Sequence, residues 1–369
     1  MDAPAGSARY NVSSWIFALT LTRALSGRVP SARVGAMKAL LLHETGKPPI
    51  VSEAPSPEPG PGEVLVRIEA CGLCRSDLFI QSLPLKKTPL ILGHEGVGVV
   101  ERIGEGVTSA TVGERVAVAY LWGTCGGCEC CLDGRRRLCG EQVNAGYDVD
   151  GAFAELALAR ADGLARVPVE LDAVEAAPLA CAGWTAYRAV KTCALEAGQW
   201  LAVYGVGGLG HVAIQLARLR GWNVAAIDVS GEKLALAQSL GAELLINASE
   251  ERPDRALRKI GGAHAAVSFV ARGDVVRSAV RGLRRGGSLV LVGLASEDFA
   301  LPLTEVVIKG VRIEGSFLGS DEDLRQVFEL ARQGKLKIEV EEMRLEDVPA
   351  AMERLARGEL RARGAARIS

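Results

Sequence analysis

The fold is decided by residues 201–220, which read LAVYGVGGLGHVAIQLARLR. An apolar strand that ends at Tyr204 runs directly into a glycine-rich turn, and an amphipathic helix follows from His211 to Arg220. The turn has the spacing G-x-G-x-x-G, in which the first glycine permits a tight turn, the second admits a pyrophosphate and the third lets the helix pack on the strand. Because the N-terminus of a helix attracts anions, this arrangement predicts a dinucleotide site.

The predicted contacts of that dinucleotide lie in this turn and just after it. We assign the phosphates to the turn residues Gly205, Gly207, Gly208, Leu209 and Gly210. Asp228 ends the next apolar strand, where a carboxylate accepts hydrogen bonds from ribose hydroxyls and repels a 2′-phosphate, so NAD is favoured over NADP. Lys233 is a second candidate for the ribose, with a solvated helix lysine as the alternative. For the whole motif, the alternative is a glycine turn in another kind of α/β protein.

The chain changes character near residue 200. From there, apolar strands predicted at 201–204, 224–227, 244–246, 265–270 and 289–292 alternate with amphipathic helices, and a further helix is predicted around 324–336. This alternation implies an α/β fold with a doubly wound parallel sheet of the Rossmann type. Residues 37–180 read instead as short strands, such as 64–68, 97–102 and 115–119, separated by Gly and Pro. The sequence therefore predicts a β-rich domain at 37–183 and 317–369 and a Rossmann domain at 184–316.

The first 36 residues form an N-terminal extension with four arginines and one acidic residue, Asp2. This composition resembles an organellar presequence or a poor signal peptide, but we favour a mis-assigned start upstream of Met37, with no folded structure expected before it. Elsewhere, no apolar run reaches the roughly 18 residues needed to cross a bilayer. The net charge of −1, from 43 basic and 44 acidic residues, gives no reason to expect nucleic acid or a membrane as a partner.

Five of the nine cysteines are crowded between positions 125 and 139. Four of them, Cys125, Cys128, Cys131 and Cys139, have the spacing C-x2-C-x2-C-x7-C, which suits a closed tetrahedral zinc site with a structural role. Cys130 could replace Cys131 as a ligand, although the spacing favours Cys131. Disulfides are the alternative, but such crowding fits metal ligation in a reducing compartment, so we expect a cytoplasmic protein.

A second set of candidate ligands, Cys74, His94 and Cys181, is dispersed along the chain. Taken singly, each could be a buried core residue, and spacing alone does not unite them. With these motifs together, the sequence resembles the zinc-containing medium-chain alcohol dehydrogenases, closest to the bacterial and yeast-type enzymes that prefer ethanol or propanol. The resemblance runs from Met37 almost to the C-terminus. It rests on the cysteine element, Gly93-His94-Glu95, the stretch 144–151 (NAGYDVDG), Cys181-Ala-Gly, the glycine turn with His211, and Gly293-Leu294.

The resemblance implies a GroES-like fold for the β-rich domain, with two zinc ions per subunit. It also implies oxidation of primary or secondary alcohols to aldehydes or ketones by hydride transfer to NAD. By this resemblance Cys74, His94 and Cys181 hold the catalytic zinc, in the Cys2His ligation already known for the family, which leaves a position for water or alcohol. Ser76 would take the alcohol's hydroxyl proton. Asp77 would orient His94, and Glu95 would be a neighbouring carboxylate or a transient ligand.

The same resemblance assigns the rest of the cofactor site and the assembly. Thr185, Val292 and Gly293 would position the nicotinamide. Arg75 and Arg363 would bind the pyrophosphate, with Arg361 and Arg367 as competing candidates in the tail. A homotetramer or a homodimer joined through the nucleotide domains is expected.

The chain also departs from the family pattern. Phe79 stands where many members carry a proton-relay histidine, and the stretch between Cys74 and His94 is shorter and lacks a substrate-lining tryptophan. With Tyr120 as part of the wall, we expect a wider pocket that admits longer or branched alcohols. The alternatives are a polyol or secondary-alcohol dehydrogenase, a carbonyl reductase, and a non-catalytic protein that binds zinc and nucleotide. The intact set of catalytic candidates argues against the last of these.

Overall fold

The computed structural model describes residues 35–294 and 298–369, so the predictions about the first 34 residues fall outside the described part of the chain. The strands are β1 (Ala36–Leu42), β2 (Ile50–Pro55), β3 (Glu63–Leu73), β4 (Leu90–Ile91), β5 (Glu95–Ile103), β6 (Arg115–Ala119), β7 (Leu121–Gly123), β8 (Val143–Asn144), β9 (Leu156–Arg160), β10 (Ala165–Arg166), β11 (Trp200–Tyr204), β12 (Asn223–Asp228), β13 (Leu244–Asn247), β14 (Ala263–Ser268), β15 (Leu283–Leu291), β16 (Arg312–Gly315), β17 (Val340–Arg344) and β18 (Arg363–Arg367). The α-helices are α1 (Arg75–Ser82), α2 (Glu129–Leu132), α3 (Ala173–Ala176), α4 (Ala182–Cys193), α5 (Gly210–Leu219), α6 (Gly231–Ser239), α7 (Pro253–Lys259), α8 (Gly273–Gly282), α9 (Leu303–Lys309), α10 (Asp321–Arg332) and α11 (Val348–Ala356).

The predicted parallel sheet is confirmed. Its six strands lie in the order β13-β12-β11-β14-β15-β16, and every neighbouring pair is parallel. This is the strand order 3-2-1-4-5-6 of doubly wound dinucleotide-binding folds, whose ligands bind outside the carboxyl ends of the strands where the order reverses. That point lies between β11 and β14, and the glycine turn leaves β11 there.

The side chains of β11 explain why its sequence is apolar without interruption. Leu201 and Val203 belong to the core on one face of the sheet, whereas Ala202 and Tyr204 belong to the core on the other. Because successive side chains of a strand point to opposite faces, a strand covered by helices on both sides has no polar position.

The β-rich part is built around a seven-stranded sheet. Its strand order is β10-β6-β5-β3-β18-β17, with β9 also paired to β3, and small sheets β2-β1-β4 and β7-β8 lie beside it. Two strand pairings in this sheet bring candidate site residues close together. Cys71 on β3 pairs with Gly96 on β5, which brings the residues just past β3 close to those just before β5. On its other edge β3 pairs with the C-terminal strand, Leu73 opposite Gly364, so Arg363 arrives beside the same region.

The late helix predicted around 324–336 begins earlier, at Asp321. The reason is local: the Ser320 side chain accepts a hydrogen bond from the Asp323 backbone N–H, and the Asp323 carboxylate accepts one from the Ser320 N–H. This capping box satisfies two free donors of the first turn and sets the start of the helix. Among residues 35–294 and 298–369, no helix is both long and apolar enough to span a membrane.

Candidate active site

The fold brings the dispersed ligand candidates together. One ligand atom from each of Cys74, His94, Glu95 and Cys181 lies within 4.8 Å of the others. Cys74 is the residue before α1 and Cys181 the residue before α4, while His94 directly precedes β5. All four residues are buried, and they converge at a site between the β-rich sheet and the start of α4.

His94 is oriented by a carboxylate on one side and has a free nitrogen on the other. Its Nδ1 lies 3.1 Å from Oδ1 of Asp77, without the alignment of a full hydrogen bond. The other oxygen of Asp77 accepts a hydrogen bond from the Cys74 backbone N–H at 2.8 Å. No described residue hydrogen-bonds Nε2 of His94, although the side chain is buried. A buried imidazole nitrogen without a partner, facing two thiols, fits a metal ion and has no other evident use.

Charged groups in the cluster shift the pKa values of its members. Burial opposes a charge on His94, but the Asp77 carboxylate and Cys74 outweigh it and raise the pKa of His94 to about 10. A hydrogen bond with Cys181 outweighs burial at Cys74 and, with the positive charges of Arg363 and His94, lowers the pKa of the Cys74 thiol well below its usual range. The cluster thus favours a thiolate, which is the form that binds zinc.

Glu95 differs from the other members because it already has a partner. Both of its oxygens contact the guanidinium of Arg363, one of them at 3.2 Å, in a fully buried pair. The carboxylate also packs against Gly72, where an added Cβ would lie 2.1 Å from a Glu95 oxygen. Three ligands therefore stay available for a metal, which suits a site with one open position.

Aromatic side chains border the cluster. The Tyr120 ring meets the His94 ring edge to face, with centroids 5.2 Å apart, and Phe317 stands edge to face against Tyr120 at 6.3 Å. Tyr120 was among the sequence candidates for the pocket wall, but Phe317 was missed because nothing in the sequence links two residues that lie so far apart along the chain. On α1, Ser76 and Phe79 are both partly exposed.

The second cysteine set is also assembled. The Sγ atoms of Cys125, Cys128, Cys131 and Cys139 lie within 4.8 Å of one another. Neighbouring sulfurs are separated by 3.5 to 3.9 Å, close to the roughly 3.8 Å between ligands of a tetrahedron with Zn–S bonds of about 2.3 Å. A hydrogen bond from Thr124 lowers the pKa of Cys131 to about 7, against the effect of burial. Cys130 lies outside this group.

The glycine turn has the shape expected of a phosphate site. Gly205 has φ +92°, and an added Cβ on Gly210 would lie 1.9 Å from the Gly205 carbonyl oxygen, so helix and strand approach too closely for a side chain. At Gly207 an added Cβ meets nothing within 4 Å, whereas at Gly208 it would lie 2.8 Å from the Arg363 guanidinium. The turn thus opens onto free space on one side, with Arg363 beside it. Leu209 directly precedes α5.

The remaining cofactor candidates lie around this turn. Asp228 accepts hydrogen bonds from the backbone N–H of Val206 at 2.7 Å and from the residues that follow it, so its carboxylate stands at the mouth of the turn. Lys233 reaches the Gly358 carbonyl at 3.4 Å. The other candidates are Thr185, buried on α4, Val292 and Gly293 after β15, and Arg75, exposed at the start of α1.

Comparisons with known proteins agree with this geometry. Residues 60–169 match the family described as the alcohol dehydrogenase GroES-like domain, and residues 208–333 match the zinc-binding dehydrogenase family. An alcohol dehydrogenase of Geobacillus stearothermophilus is 43% identical over 331 residues, covering 89% of this chain and 98% of that protein. The chain belongs to the zinc-type medium-chain alcohol dehydrogenases. It is therefore an oxidoreductase that interconverts alcohols and carbonyl compounds.

Solved structures of this alcohol dehydrogenase family superpose on the chain closely. The alcohol dehydrogenase of the hyperthermophilic archaeon Aeropyrum pernix has a TM-score of 0.83 at 35% identity, covering 89% of this chain and 99% of that one. The acetophenone reductase of Geotrichum candidum, solved in complex with NAD, has a TM-score of 0.81 at 28% identity, covering 92% and 98%. The predicted combination of a GroES-like domain and a Rossmann domain is confirmed.

Proposed function

We propose that this alcohol dehydrogenase oxidises small apolar alcohols with NAD, using one zinc ion held by Cys74, His94 and Cys181 and a second held by the four-cysteine loop. The observation that carries the proposal is the partnerless Nε2 of His94, buried within reach of two thiols. Zinc bound there would supply a Lewis acid that makes an alcohol hydroxyl acidic near neutral pH. The loop zinc would have a structural role because four thiolates leave no open position.

The residues around the catalytic cluster then have separate tasks. Asp77 holds the ring of His94 through Nδ1 and so keeps Nε2 turned toward the thiols. Ser76 Oγ, two residues after Cys74 on α1, accepts the hydroxyl proton of the alcohol. With Phe79 in place of a relay histidine, that proton passes from Ser76 to water or to a ribose hydroxyl. Glu95, neutralised by Arg363, shapes the field at the site without occupying the open position.

The choice of NAD follows from Asp228. Its carboxylate is held in place by backbone donors and would sit against the adenosine ribose, where it repels a 2′-phosphate. NAD bound there would supply an acceptor for hydride from the alcohol carbon. Thr185, Val292 and Gly293 would support the nicotinamide, and Lys233 the ribose. Arg75 and Arg363 would face the phosphates.

The substrate is proposed to be apolar because the wall beside His94 is aromatic. The side chains of Tyr120 and Phe317 carry no charge and only one hydroxyl between them, so a polyol would leave most of its extra hydroxyls without partners there. Primary alcohols with longer or branched chains fit this wall best.

The surface of the Rossmann part supports a homodimer or homotetramer. On α9, which lies beside the edge of the parallel sheet, Leu303, Val307 and Ile308 are 71%, 70% and 59% exposed. Three large apolar side chains on one short helix are costly in water and typical of a contact between copies. Val307→Glu should shift the protein to a smaller species in light scattering coupled to size exclusion, while the native protein eluting as a monomer would refute this assembly. All nine cysteines are free thiols, in keeping with a proposed cytoplasmic location.

A substrate panel tests the proposed function. Purified protein with NAD should form NADH from 1-propanol and from longer primary alcohols, with kcat/KM higher than for glycerol or other polyols, and a strong zinc chelator should abolish the reaction. The proposal would be refuted if zinc-replete protein binds NAD but no alcohol gives NADH and no aldehyde is reduced with NADH. A preference for polyols would refute the substrate class alone.

A further inference from the structure

One buried polar residue beside the glycine turn has no task in the mechanism above. His211, in the first turn of α5, is fully buried, and both of its ring nitrogens are engaged. Nε2 accepts a hydrogen bond from the Glu339 backbone N–H at 3.1 Å, and Nδ1 lies 2.9 Å from the Gly207 carbonyl oxygen. Since Nε2 must be unprotonated to accept, the proton of the neutral ring is on Nδ1, which donates to Gly207.

The bond to Gly207 fixes the orientation of one peptide in the turn. The Gly207 carbonyl also accepts from the His211 backbone N–H at 3.2 Å, so two donors hold it on the helix side. In a planar trans peptide the carbonyl and the following N–H point in opposite directions. Holding the Gly207 carbonyl toward the helix therefore aims the Gly208 N–H away from it, on the side of the turn that a phosphate would approach.

The bond to Glu339 links the turn to Arg363. The Glu339 carbonyl accepts a hydrogen bond from the Arg363 backbone N–H at 3.2 Å. The Arg363 side chain in turn contacts Glu95 and lies next to Gly208. A continuous path of contacts thus runs from the glycine turn through His211 and Glu339 to Arg363 and the metal cluster.

One helical turn later, Gln215 contacts the same segment without touching the glycine turn. Its side-chain amide donates to the Lys337 carbonyl at 2.7 Å and accepts from the Lys337 N–H at 3.0 Å. Gln215 therefore ties α5 to the segment just before β17 as His211 does, but without the contact to Gly207. It is a natural control for any effect of simple attachment.

We propose that His211 is a positioning residue for the cofactor's pyrophosphate, which orients the Gly207–Gly208 peptide and holds Arg363 in register with it. The inference rests on the proposed use of NAD. Burial lowers the pKa of His211, so the ring stays neutral near physiological pH and keeps the donor and acceptor that the two contacts need. The helix, the turn and Arg363 then present their donors to the phosphates as one rigid group, without reordering on binding.

The test compares ligands with and without phosphates. ADP-ribose contains the pyrophosphate, whereas adenosine contains only the nucleoside that would face Asp228. The Kd of each ligand is measured by calorimetry or by its competition with NADH, followed by fluorescence. His211→Ala should raise the Kd for ADP-ribose about three- to tenfold and change the Kd for adenosine by no more than about twofold. In kinetics, KM for NAD should rise while KM for alcohol and the zinc content stay unchanged. Gln215→Ala should leave ADP-ribose binding close to native.

Two further variants separate positioning from packing. His211→Asn keeps a donor at the place of Nδ1 and should recover most of the lost affinity, whereas His211→Gln offers an acceptor near Glu339 only and should not. Equal losses for ADP-ribose and adenosine, or equal losses in the His211→Ala and Gln215→Ala proteins, would overturn the inference while leaving the function intact. Native protein that binds neither ADP-ribose nor NAD would instead refute the proposed function.

Discussion

Two substitutions in the glycine turn should separate folding from cofactor binding. In Gly210→Ala the new methyl group would stand 1.9 Å from the Gly205 carbonyl oxygen and 2.9 Å from its carbon. Both are backbone atoms that no rotamer change can move, so strand and helix must separate. In Gly207→Ala the methyl group meets nothing within 4 Å, and the folded chain accommodates it. It would, however, occupy the space where the pyrophosphate must approach the backbone.

The expected magnitudes follow from these distances. Overpacking of this kind costs about 1–3 kcal/mol, which for a chain of more than about 300 residues lowers the apparent Tm by roughly 1–2 °C per kcal/mol. The Gly210→Ala protein should therefore have a Tm several degrees below that of the native protein. The Gly207→Ala protein should keep the native Tm but have a Kd for NAD about tenfold higher or more. Gly231→Ala, at the start of α6 with open space around it, is the matched control.

Differential scanning fluorimetry and NADH fluorescence titration measure both properties on the same samples. A Gly210→Ala protein with native Tm would show that the turn is not closely packed. A Gly207→Ala protein with native NAD affinity would refute the assignment of the phosphates to this turn.

Three further predictions concern the metal loop, cofactor choice and pH. The Cys131→Ser protein should contain one zinc equivalent less by elemental analysis and have a lower Tm. The Cys130→Ser protein should keep both zinc ions and the native Tm. The reverse result would show that Cys130 is the ligand. Asp228→Asn should shift the ratio of kcat/KM for NAD over NADP toward NADP by roughly tenfold or more, because a like-charge repulsion is removed, and an unchanged ratio would place the ribose elsewhere. Burial lowers the pKa of His211 in the folded chain, whereas the unfolded chain protonates it near 6.5. The free energy of unfolding of the native protein, measured by chemical denaturation, should therefore decrease as pH falls below about 6.5. In the His211→Asn protein this free energy should decrease less over the same pH range, because the titrating ring is gone. The same dependence on pH in both proteins would contradict the prediction.

The Rossmann part was predictable from local patterns. The glycine turn, the alternation of apolar strands with helices, and Asp228 at the end of its strand are short-range features, and each lies within about thirty residues of the next. The parallel sheet follows because strands separated by helices can pair in few other ways. Helix ends were predicted less exactly, since α10 begins at a capping box rather than at the first apolar residue.

The catalytic cluster could not be derived from spacing. Cys74 and His94 meet because Cys71 pairs with Gly96 across two strands, and this register depends on the whole sheet. Only the resemblance to known dehydrogenases united them with Cys181 beforehand. The pairing of Glu95 with Arg363, the contact of Tyr120 with Phe317 and the reach of His211 to Glu339 have the same origin: they join residues far apart in sequence, and side chains of these types occur in many other settings.

The exposed apolar side chains of α9 were also not predicted. A single exposed leucine or valine is ordinary on a protein surface, and only the fold shows that three large apolar side chains on this one helix stay uncovered. Surface clusters of this kind depend on which face a helix buries, and that is set by its neighbours in the fold.

The Cys74→Ser protein tests the catalytic metal site most directly. Its zinc content, NAD binding and alcohol oxidation are measured together. Cys74 is the ligand whose thiolate the cluster favours most, and it is far from the cysteine loop in sequence. We expect the variant to keep the loop zinc and lose the other, to bind NAD as the native protein does, and to form no NADH from 1-propanol. A variant that keeps both zinc ions, or one that oxidises 1-propanol at the native rate, would contradict the catalytic metal site.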